Sequence, residues 1–189
     1  MMSIMHRFLI AGLVLGLALP VAAQAQTAAP ASGAADAQGV VAPDETQRLC
    51  SLRQNMPGQD EAAQIREREA KTIVLPADGH LLGDWQRGAQ VAHSDAAGPA
   101  QGEGCYACHR IDRAEATFGT SGPSISRYGL LRDYDDDEIK AAYAKIYNAR
   151  SKTACSVMPR FGADRILTEQ QIKDVLAYLF DPASPVNKP

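Results

Sequence analysis

The chain has 189 residues and a formal net charge of -3. That length suits one domain with extensions, and the absence of any clustered Lys/Arg run argues against nucleic acid as a partner. Aromatic content is only 6%, with Trp85 the single tryptophan, so a bound apolar group could supply bulk that the side chains do not.

Residues 1–25 read as a secretory leader. Arg7 precedes an apolar run from Phe8 to Leu19, followed by Pro20 and small residues, with cleavage expected after Ala25 rather than after Ala23. The alternative is a membrane anchor, but a run of about 12 falls short of the 18 or more that a span requires. No later segment is long and apolar enough to cross a bilayer. The mature chain is therefore expected in a bacterial periplasm, without a membrane span.

Residues 26–45 are rich in Ala, Gly and Pro and read as a flexible linker, since they offer too little apolar bulk to order themselves. Residues 46–80 form an N-terminal extension with two short helical stretches broken at Pro57-Gly58. The second stretch is mostly charged, and its EREAK ending reads as a solvated helix face, or as a plain spacer. Ile73-Val74-Leu75-Pro76 then looks extended.

Residues 81–189 are expected to form the main domain. Asp84 is placed to cap a helix beginning at Trp85, with Trp85, Ala89, Val91 and Ala92 on its inner face. A Gly-rich loop delivers the chain to Cys105. Asp135 to Glu138 open a helix reaching about Asn148 whose inner face carries Ile139, Tyr143 and Ile146. The acidic run suits the positive end of the helix dipole, with a docking patch as the alternative. The last helix starts after Thr168 with Gln171 at the capping-box position, repeats Ile172, Val175, Leu176 and Leu179 at helical spacing, and stops at Asp181-Pro182. Strand-like alternation is almost absent, so the expected fold is all-α.

Cys105-Tyr106-Ala107-Cys108-His109 matches C-x-x-C-H, the attachment motif for one covalent haem c. Two thiols three positions apart can form thioethers to both vinyl groups, and the adjacent His109 can bind the iron. A zinc site would need a second ligand pair of similar spacing, which the chain lacks. The free nitrogen of His109 needs an acceptor to fix its tautomer, and Gly122-Pro123 is placed to offer the Pro123 carbonyl; an ordinary Gly-Pro turn is the alternative. For the sixth ligand, Met158 is favoured over Met56, His80 and His93, because Pro159 forces it into an extended loop between helices. A core methionine that fills a packing gap is the competing reading. The remaining cysteines, Cys50 and Cys155, are expected to pair in an oxidising compartment; a reactive thiol at Cys155, or pairing across a subunit interface, are the alternatives.

From Gly83 to Phe180 the chain resembles class I cytochromes c, which supply the proline carbonyl and methionine ligand in this order. Within them, IVLPADGHLLGDWQRGAQ, GEGCYACH, GPSISRYG and above all the loop from Met158 to Gly162 resemble SoxX, the monohaem subunit of the SoxAX cytochrome of thiosulfate oxidation. The resemblance covers about residues 72–181. It implies a heterodimer with a SoxA-type cytochrome subunit and electron uptake when thiosulfate is joined to a cysteine of the SoxYZ carrier protein. It also implies onward transfer to an acceptor such as a small cytochrome c. The complex would be an L-cysteine S-thiosulfotransferase whose catalytic centre lies on the partner, leaving this chain no catalytic residue of its own. A free-standing periplasmic electron shuttle is the alternative.

Overall fold

The structure is a computed structural model and describes residues 42–93 and 104–188. The leader at 1–25, most of the linker and the Gly-rich loop before Gly104 lie outside the described residues.

Five helices form where the chain supplies their start signals. Helix α1 (Glu45–Leu52) begins inside the stretch read as linker, because Asp44 and Gln47 form a reciprocal capping box that composition alone hides. Helix α2 (Gln59–Ala70) follows the Pro57-Gly58 break. Helix α3 (Trp85–His93) is capped by Asp84, which accepts from the Gln86 and Arg87 amides at 2.8 and 3.2 Å. In helix α4 (Asp136–Tyr147) Asp135 accepts from the Asp137 and Glu138 amides, so the acidic run caps the helix. Helix α5 (Glu169–Phe180) carries the expected Thr168–Gln171 capping box. Single 3₁₀ turns lie at Cys105–Ala107, Leu130–Arg132, Ala149–Ser151 and Pro185–Asn187, and no strand occurs among the described residues. The fold is all-α.

Helix α5 is the centre of the main core. Its residues Ile172 to Phe180 are all buried, including Lys173 and Asp174. Helices α3 and α5 make the most extensive helix contact. They approach closely at Gly88, where a Cβ would collide with the Asp174 carbonyl. Asp174 is 3% exposed and accepts from Arg87 Nε at 2.9 Å, the Asp84 amide at 2.8 Å and Gln170 Nε2 at 2.8 Å. Burial alone would raise its carboxyl pKa, but Arg87 and these amides outweigh it and hold it below the ordinary value.

A second, smaller core joins the extension to the rest. Ile65, Cys50 and Ala154 are buried together, and Cys50 is disulfide-bonded to Cys155. This pairing agrees with the expectation for the two leftover cysteines. The charged face expected on α2 needs correction at one position, since Glu69 is only 4% exposed. It lies four residues after Ile65, and so on the same buried stripe of the helix.

Candidate functional site

The turn Cys105–Ala107 is closed by the amides of Cys108 and His109, which donate to the Cys105 carbonyl at 3.2 and 2.9 Å. The Cys105 and Cys108 thiols are free, the first half-buried and the second exposed. A second segment wraps this turn: the Gly119, Gly122 and Ile125 amides donate to the carbonyls of Tyr106, Cys108 and Arg110 at 2.8 to 2.9 Å. Gly122 then passes directly against the imidazole, and any Cβ there would run into the His109 ring. The next residue supplies the acceptor, with His109 Nδ1 donating to the Pro123 carbonyl at 2.8 Å. That bond fixes the tautomer and leaves the Nε2 lone pair available to a Lewis acid.

His109 and Met158 both line an open cleft and a smaller adjoining recess. Ile125, Ile146 and Leu179 border both spaces, Cys105 borders the recess, and Cys108 and Pro123 border the cleft. The structure thus brings Cys105, Cys108, His109, Pro123 and Met158 to one place. The competing donors are elsewhere: Met56 is 75% exposed, and neither it nor His80 or His93 lines either space.

Cys105 is not set up as the attacking thiol of a redox pair. Such pairs work through a thiolate of lowered pKa, whereas burial, and next the neighbouring Cys108, pushes the Cys105 thiol up to about 11. A half-buried thiol bordering an apolar recess beside an imidazole is placed for a covalent link to an apolar group seated there.

Three features around the site have no counterpart in the sequence reading. Tyr106 and Tyr178 share a 2.9 Å hydroxyl–hydroxyl bond, and burial raises both pKa values, keeping the pair neutral. His93 stacks on Tyr106 with ring centroids 4.2 Å apart; its Nδ1 faces the Ala89 carbonyl at 2.7 Å and its Nε2 faces Glu115 at 3.0 Å. Two acceptors at two nitrogens favour the imidazolium. Burial lowers its pKa, but the Glu115 and Ala89 contacts outweigh burial and raise it. The third feature is the set of ion pairs that joins the extension to the methionine loop beside the expected Cys50–Cys155 link. Arg160, two residues past Met158, meets Asp44 at 2.9 Å, Glu69 at 3.3 Å and Asp164 at 2.7 Å. The Ile65-to-Glu69 spacing was the one available signal for it, and the charge density of α2 masked that signal.

The family described as cytochrome c matches residues 86–181. A protein of Aquifex aeolicus (strain VF5) called an uncharacterized lipoprotein is 38% identical over 162 residues, covering 80% of this chain and 76% of its own length. Covalently attached haem c is the cofactor of the matched family, and the residues present fit it. The recess is lined mainly by aliphatic side chains together with Phe161 and Tyr178, two free thiols stand at the attachment spacing, and the Nε2 of His109 makes no hydrogen bond among the described residues.

Proposed function

Because the chain belongs to the cytochrome c family and is therefore an electron-transfer haem protein, we propose that it serves as the electron-accepting subunit of an exported, thiosulfate-oxidising complex of the SoxAX kind. Cys105 and Cys108 would hold the haem through thioethers, with His109 and Met158 as the iron's protein ligands. When bound, the haem would supply a one-electron couple, and a histidine–methionine ligand pair would favour a high potential. His109 is kept in one tautomer by the Pro123 carbonyl, with Nε2 left free to bind the iron.

The observation that carries this reading is that His109 and Met158 line the same cavity. With both donors engaged, no position is left for thiosulfate, so bond making between sulfur atoms belongs on a partner and this chain passes electrons. The resemblance of the loop from Met158 to Gly162, and of the segments flanking the haem motif, points to the SoxAX partner and to the SoxYZ carrier as the place where the electrons originate. Export to the periplasm is supported by the Cys50–Cys155 disulfide, which needs an oxidising compartment, and by a relative that is called a lipoprotein.

Purification of the untagged protein from its source tests this directly. The expected result is co-elution with a second, larger haem protein and thiosulfate-dependent reduction only in the complex. Monomeric elution, or thiosulfate coupling by the isolated chain at the rate of a complex, would contradict the subunit reading and favour a free shuttle.

A further inference from the structure

The shared family region begins at residue 86, so helices α1 and α2 stand outside it. Their contacts converge on one short stretch of the main domain, residues 148–160, which carries Met158. Cys50 is bonded to Cys155, Ile65 packs with Ala154, Asp44 pairs with Arg150 at 3.3 Å, and Asn148 Nδ2 donates to Glu69 Oε2 at 2.8 Å and to Thr72 Oγ1 at 2.9 Å.

A further junction is at Arg160. Along the loop, Met158 and Phe161 line the recess while the Arg160 side chain, 12% exposed, reaches Asp44, Glu69 and Asp164. Glu69 is buried and its carboxylate is fully engaged: Oε1 accepts from the Thr46 hydroxyl, and Oε2 accepts from Asn148 and Arg160. Thr46 in turn accepts from Arg68 at 2.7 Å. A buried carboxylate of this kind holds its cationic partner firmly, because releasing either one strands a charge in a low-dielectric setting.

We propose that Glu69 and Asp44 are positioning residues for Met158, acting through Arg160, so that the N-terminal helix pair is a brace setting how readily the methionine leaves the iron. This rests on the reading of Met158 as the sixth ligand. The brace acts on the ligand loop rather than on the haem or on His109, and its loss should show as easier methionine displacement with the fold retained.

The test uses the full-length, haem-loaded, oxidised protein with added imidazole, which can bind the iron only when Met158 has left. Glu69→Gln keeps the size and one of the two acceptor oxygens but removes the charge facing Arg160; Asp44→Asn does the same at the second carboxylate and leaves an acceptor oxygen for the helix cap. Glu67→Gln, at an exposed carboxylate on the same helix, is the control. The expected result is imidazole entry faster by about tenfold in Glu69→Gln and by a smaller factor in Asp44→Asn, the size of losing one charge-assisted hydrogen bond, with Glu67→Gln at the wild-type rate. Circular dichroism should match wild type in every variant, and if Glu69→Gln fails to fold, Asp44→Asn decides alone. Wild-type rates in the folded variants would overturn the brace. A wild-type spectrum unchanged by Met158→Ala would instead overturn the ligand reading on which the brace rests.

Discussion

Two charged side chains on α3 and α5 titrate in opposite directions, and together they shape the pH range in which the fold is most stable. Asp174 has a folded pKa held below its ordinary 3.8, so its contribution is present above that value and is lost as pH falls through the folded one. His93 has a folded pKa raised above 6.5, so its contribution is complete below that value and is lost as pH rises through the folded one. The groups facing His93 are Glu115, Tyr106 and Tyr178, with Asp112 adding a further negative charge. Urea midpoints measured across pH are expected to fall on both sides of the interval from about 4 to 6.5. Asp174→Asn should flatten the acid limb and His93→Gln the neutral-to-alkaline limb; identical pH profiles in all three proteins would contradict both assignments. At this scale the sequence was informative where chemistry is written in contiguous residues. The motif from Cys105 to His109, the Pro123 carbonyl and Met158 were all legible, and they meet around one cavity. Glu69 and the His93–Glu115 pair were not legible, because their partners lie 79, 91 and 22 residues away along the chain.

At the scale of elements, the helices and their caps followed from local signals, since Asp84, Asp135 and Thr168 each cap the next helix by reaching amides two or three residues on. The start of α1 escaped because Asp44 and Gln47 sit at the edge of an Ala-rich stretch, where composition outweighs a single capping box. What local signals do not show is which helices touch, and the placement of α1 and α2 depends on a crosslink between residues 105 apart in sequence. In the chain-entropy view, closing a loop of that length stabilises by up to about 4.7 kcal/mol, with about 2 to 4 typical once strain and residual structure are counted. The Cys50→Ser/Cys155→Ser double variant is therefore expected to lose about 2 to 4 kcal/mol in urea denaturation, with secondary structure otherwise preserved. A midpoint equal to that of wild type would mean that the crosslink contributes nothing to the fold.

For the molecule as a whole, the parts combine into one site lined by Cys105, Cys108, His109 and Met158. The wrapping segment with Gly122 and Pro123 fixes His109, helices α3 and α5 cross closely at Gly88, and the loop tied to Glu69 through Arg160 carries Met158. The account rests on His109 and Met158 holding the same iron. The most direct measurement is the absorption spectrum of the oxidised, haem-loaded protein, recorded for wild type and for Met158→Ala at neutral pH. Wild type should show the weak sulfur-to-iron band near the red end of the visible range, and Met158→Ala should lose it together with a fall in reduction potential. A wild-type spectrum without that band, or a variant spectrum identical to wild type, would contradict the assignment of Met158.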